Sequence, residues 1–123
     1  MSFADHQKPN QVFVIVSGEV SMEEVKNFIT TSRRGDQRED AFLFDITAAS
    51  LSLSGEEMRQ LAVFAAEEAR KSPMGPVAFI SAAAGAFGLS RVYQAYSAVE
   101  GRRNVGVFRT LEDAQAWLAD LKR

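Results

Sequence analysis

Short apolar runs alternate along the chain with longer stretches in which apolar residues recur every three or four positions. Val12-Phe13-Val14-Ile15-Val16 is rich in β-branched residues and is bounded by Asn10 and Gly18, which reads as a strand. Ala41 to Ile46 (Ala-Phe-Leu-Phe-Asp-Ile) has no polar alternation until Asp45. It reads as a central strand covered on both faces and ending at an acidic residue. Pro76 to Ser81 and Val105 to Phe108 supply two more apolar runs of strand length. Lys8-Pro9-Asn10 is turn chemistry. The residues before it are read as the first strand of a hairpin, with His6 in it or beside it.

Between these runs the spacing becomes helical. Met22, Val25, Phe28 and Ile29 share one face, and Ser21-Met22-Glu23-Glu24 is a capping box at its start. This helix is expected to end near Arg33-Arg34-Gly35, ahead of a charged loop from Asp36 to Asp40. Ser54-Gly55-Glu56-Glu57 is a second capping box. Behind it Met58, Leu61, Ala62, Ala65 and Ala69 form a face, and Pro73 stops the helix. Val63 and Phe64 lie off that face, which predicts a second contact surface. A turn over Ala82 to Gly88 leads to a third helix with the stripe Leu89, Val92, Tyr93, Tyr96 and Val99, closed by Gly101. Thr110 caps a last helix whose buried face is Leu111, Ala114, Trp117, Leu118 and Leu121.

The order (β)β-α-β-α-β-α-β-α predicts one α/β domain over residues 1–123. Its sheet of four or five strands is mostly parallel, with right-handed crossovers and an N-terminal antiparallel hairpin. At 123 residues, 46% hydrophobic and 24% charged, the chain is an ordinary globular domain. A net charge of -2 argues against nucleic acid as a partner. The basic pairs Arg33-Arg34, Arg70-Lys71, Arg102-Arg103 and Lys122-Arg123 fall at helix C-termini, where the dipole favours cations. The absence of cysteine excludes disulfides and thiolate chemistry, and a single histidine argues against a His-rich metal site. No apolar run reaches the ~20 residues that span a membrane, and no signal-peptide pattern opens the chain. The expectation is a cytoplasmic protein without cofactor or metal.

In an open parallel sheet, ligands favour the crevice beyond the carboxyl ends of the strands. Parallel topology would bring three polar groups of turns to that edge: Asp45 with Thr47, Ser81 through Arg91, and Arg109. Asp45, Ser81, Phe87, Gly88, Arg91 and Arg109 are therefore the candidate ligand-binding residues, with ion pairing of Asp45 to Arg91 or Arg109 as the plainer alternative. Gly85-Ala86-Phe87-Gly88 suits an anion at a helix N-terminus, but it lacks the phosphate-loop patterns. Close packing of the turn on the sheet is the other explanation for its glycines. No catalytic constellation is present.

Several of these segments also carry a family resemblance. Gly18-Glu19-Val20-Ser21, Leu43-Phe44-Asp45-Ile46-Thr47, Phe87-Gly88-Leu89-Ser90-Arg91-Val92-Tyr93 and Val107-Phe108-Arg109-Thr110…Ala114-Gln115-Ala116-Trp117-Leu118 stand in that order. Together they resemble small bacterial STAS-like proteins, related in fold to anti-sigma-factor antagonists and to CRAL-TRIO lipid-binding domains. The resemblance implies a mixed sheet with four helices, no enzymatic activity, and binding of proteins, nucleotides or lipids. In the antagonists a serine opening the second helix is phosphorylated, and Ser54 is the matching position here. Leu53 stands where that family has aspartate, and the two following glutamates would repel a phosphate. Two functions are thus expected. One is a regulatory or protein-interaction module that self-associates through the face of Val63 and Phe64. The other is a carrier of a small molecule or lipid at the strand C-terminal edge.

Overall fold

A computed structural model describes residues 2–8, 11–32 and 40–121. These form β1 (Ser2–Lys8), β2 (Gln11–Val20), α1 (Met22–Ser32), β3 (Ala41–Leu51), α2 (Gly55–Lys71), β4 (Val77–Ile80), α3 (Ala84–Val99), β5 (Val105–Phe108) and α4 (Leu111–Leu121). The turn expected at residues 9–10, the end of the first helix at Arg33-Arg34-Gly35, the charged loop up to residue 39 and the pair Lys122-Arg123 lie outside the described residues.

Strands β2 to β5 are all parallel and lie side by side in chain order. β1 runs antiparallel along β2, from Ser2 opposite Ser17 to Lys8 opposite Gln11. Each parallel crossover steps one strand in the same direction. With a common hand, the crossover helices α1, α2 and α3 must then share one face of the sheet. Packing agrees with this. Val14, Val16, Phe42, Phe44 and Phe79 face Val25 and Phe28 of α1, while Met58, Leu61, Ala62 and Ala65 of α2 pack with Tyr93 of α3. The alternate positions Ala41, Leu43, Ala78 and Ile80 face Ala114 and Leu118 of α4 on the other side. The apolar run of β3 is thus explained by a layer on each face.

Gly106 serves this second layer. A Cβ there would stand 2.6 Å from the Phe108 ring and 3.2 Å from Trp117. The glycine lets these two rings meet, with centroids 5.4 Å apart.

Two strands are longer than their apolar runs. β2 passes through Gly18 to Val20, and β3 continues past Asp45 to Leu51. The extensions pair with each other, Ser17 with Ala48 through Val20 with Leu51, beyond the point where β4 ends opposite Asp45. The register shifts between Ile15 and Ser17, where Val16 lies opposite two residues, Ile46 and Thr47. Partnership with β2 overrides the weak strand preference of Thr47-Ala48-Ala49-Ser50.

The helices also differ in detail. α3 begins at Ala84, so Gly85 to Gly88 lie within its first turns and not in a preceding turn. Its buried side is Ala86, Ser90, Tyr93 and Ser97, and Val99 is 80% exposed. Of the apolar face expected on α4, only Ala114, Leu118 and part of Trp117 are covered, whereas Leu111 and Leu121 are exposed. Its apolar spacing runs further than the narrow β3–β5 surface can cover. Phe64 of α2 is occupied within the molecule, with Lys26 of α1 lying 5.5 Å over its ring. Val63 and Phe64 both remain half-buried.

Candidate functional site

Beneath the three crossover helices lies an apolar cavity of about 140 Å³. Its floor is the sheet, through Val14, Val16, Phe42, Phe44 and Phe79. Its roof is α1 and α2, through Val25, Phe28, Ile29, Met58, Leu61 and Ala65. Val20, Leu51 and Leu53, carried by the paired extensions and the segment that follows, lengthen it at one end. Met74, Gly75, Val77 and Arg102 line the opposite end, near the amino ends of β4 and β5.

An aromatic series forms one wall. Phe28 meets Phe44 edge-on at 5.3 Å, Phe44 stacks with Phe79 at 5.6 Å, and Phe79 meets Tyr93 edge-on at 5.5 Å. Phe42, Phe44 and Phe79 are only partly buried although helices lie over them. Rings on a covered sheet face retain accessible surface only where the layers above leave space.

The series ends in polar chemistry. The Tyr93 hydroxyl accepts a hydrogen bond from Arg102 Nη1 at 3.2 Å. Arg102 is set by the end of α3, where Gly101 adopts φ +90°. The Gly101 N–H donates to Ala98 O at 3.0 Å and the Arg102 N–H to Ser97 O at 2.9 Å. This is a Schellman closure, and it fixes the backbone of Arg102 beside Tyr93. The second guanidinium nitrogen, Nη2, is buried and has no hydrogen-bond partner among the described residues.

The strand C-terminal edge is arranged differently. Asp45 is in mid-strand, and its Oδ1 accepts the Thr47 N–H at 3.0 Å. Thr47 Oγ1 in turn accepts the Ala82 N–H at 3.2 Å. Asp45 therefore satisfies backbone freed at the bulge and ties it to the loop ahead of α3. Its expected ion pair with Arg91 or Arg109 is not formed among the described residues. Ser81 is 1% exposed, and its hydroxyl both donates to Ala83 O and accepts the Ala83 N–H, each at 3.1 Å. Arg109 lies 4.1 Å over the Phe87 ring. These two residues are brought together, while Arg91 and Gly88 are exposed on α3. None of Asp45, Ser81, Phe87, Gly88, Arg91 and Arg109 lines the cavity.

The glycines of α3 follow neither explanation offered for them. A Cβ at Gly85 or Gly88 would meet no atom within 4 Å. Close packing does not require them, and they form no loop ahead of the helix. Ser54 is the N-cap of α2, with both hydrogen bonds of the capping box made to Glu57. Beside it, the Arg59 guanidinium holds the Glu56 carboxyl below the usual carboxylate range.

No local motif encodes the cavity, so sequence reasoning missed it. Its lining comes from strands, helices and loops spread between Val14 and Arg102. The one signal in the sequence is the aromatic alternation Phe42-x-Phe44 together with Phe79, which places several rings on one sheet face. Among the described residues there is no group of acidic or histidine side chains that could hold a metal ion, and no helix long and apolar enough to cross a membrane. Neither protein-family models nor curated protein sequences match the chain.

Proposed function

We propose that this chain is a non-enzymatic, STAS-like ligand-binding module that holds a compact apolar molecule between its sheet and its crossover helices. The observation that carries this reading is the cavity of about 140 Å³ walled by Phe28, Phe42, Phe44 and Phe79. A dry apolar cavity of ~150 Å³ accepts benzene-sized guests. The carrier function expected from the sequence is thereby moved from the strand edge to the core. The engagement of Asp45 by Thr47 supports the non-enzymatic part, because it gives that carboxylate a structural role.

Toluene is the direct probe. It should raise the melting temperature of the protein in proportion to the logarithm of its concentration. Ala65 is 1% exposed and lines the cavity. Ala65→Leu should occupy the space and remove most of that response. An unchanged melting temperature in saturating toluene would defeat the proposal.

A regulatory or interaction role is the second reading, favoured by incomplete cover on the α4 side of the sheet. Ile15 alternates with Val14 and Val16, so it belongs to that side, and it is 38% exposed. Sedimentation at high micromolar concentration should reveal association that Ile15→Asp abolishes. A monomer for the parent chain would count against it.

A further inference from the structure

We infer that the cavity selects an apolar anion of the arenecarboxylate class, with Arg102 holding the carboxylate; this rests on the ligand-binding reading above. The cavity is apolar along its length and becomes cationic at one end. Among the described residues, Arg102 is the charged side chain in its lining. The same side chain, with Met74, also lines an open recess on the surface formed with Gly101, Arg103 and Asn104. Arg102 therefore stands at the boundary between apolar interior and solvent, where the head of an amphiphile would come to rest.

The guanidinium has capacity to spare. Nη1 is used by the Tyr93 hydroxyl, whereas Nη2 is buried with no partner among the described residues. A buried, uncompensated donor on a charged group is unfavourable, and an anion placed against it removes the penalty while gaining a charge-assisted hydrogen bond. No carboxylate among the described residues supplies this. The nearest in sequence, Glu100, accepts from Arg70 at 3.3 Å. The Met74 carbonyl accepts from Asn104 Nδ2 at 3.5 Å, and no bond from Arg102 Nη2 to it is formed. The Schellman closure at Gly101 holds the arginine in this position without help from its side chain.

Size sets the rest of the ligand. The space accommodates about one aromatic ring, and the walls are rings themselves. A single-ring carboxylate can place its ring against Phe79 and Tyr93 and its head toward Arg102. Arg103, on the outer recess, adds positive potential along the approach.

The test compares benzoate with nitrobenzene, a neutral molecule of nearly the same shape, by heteronuclear NMR titration of the full chain at neutral pH. Benzoate should bind at least about tenfold more tightly, the scale of one charge-assisted hydrogen bond. In Arg102→Met the two should bind equally. Arg102→Lys should retain part of the preference. Equal binding of both probes to the parent chain overturns the inference and leaves the cavity reading intact. A preference that survives Arg102→Met overturns the assignment to Arg102. Failure of both probes to bind removes the ligand-binding reading and this inference with it. If Arg102→Met does not fold, the comparison in the parent chain and in Arg102→Lys decides.

Discussion

Gly88 and Gly101 lie thirteen positions apart on the third helical stretch and its exit, and they ask for opposite substitutions. Gly88 is in the body of α3 and exposed, and a Cβ added there would meet nothing within 4 Å. Its only effect on the helix is the loss of about 1 kcal/mol relative to alanine. Gly88→Ala should therefore raise stability by about 0.5–1 kcal/mol in urea denaturation. Gly101 sits at φ +90°, where an L side chain is strained. Gly101→Ala should lower stability by about 1 kcal/mol. It should also loosen Arg102, whose N–H completes the closure on Ser97. Urea denaturation with both variants falling on the same side of the parent chain would contradict this account. Residue identity alone does not separate the two glycines; their backbone angles and surroundings do.

At the scale of elements, the legible features were those encoded within one turn of chain. Ser21, Ser54 and Thr110 cap their helices as their spacing predicts, with the Glu24, Glu57 and Asp113 N–H groups donating to the respective hydroxyls. Pro73 and Gly101 likewise mark the ends of α2 and α3. The features that were not legible depend on partners distant in sequence. β3 looks finished at Asp45 because a carboxylate usually leaves a strand, yet pairing with Ser17 to Val20 carries it on to Leu51. Asp45 stays inside because the bulge exposes the Thr47 N–H to it. For the same reason α4 carries more apolar spacing than it buries. Its pattern records a face, whereas cover depends on how far β3, β4 and β5 extend beneath it. At the candidate edge, grouping by strand end places Phe87 and Arg109 together without saying which hydrogen bonds already occupy Asp45 and Ser81.

For the whole molecule, the unequal layering decides where the apolar space lies. Three helices share one face of the sheet, and the apolar space lies within that thicker layer. The single helix on the opposite face packs Ala114 and Leu118 directly on Leu43 and Ala78, each 0–2% exposed. A cavity shared by helices can change volume as they shift, while a sheet held by its ladder remains fixed.

The chain-order arrangement of strands has a further consequence for how the fold opens. Every strand is a neighbour in space of the strands nearest it in sequence, and β1 and β5 are the two edges. Protection of amides against hydrogen exchange should therefore form a gradient, highest at Leu43 and Ala78 in the middle strands and falling toward both margins. Native-state exchange in low denaturant would measure it, and uniform protection across β1 to β5 would be inconsistent with the prediction. Opening from the β5 margin would disturb Val105, Val107 and the Arg102 closure before it reached Phe44. The cationic end of the cavity would then lose its definition while the aromatic floor was still intact, so that ligand selectivity would disappear at a lower denaturant concentration than the sheet itself.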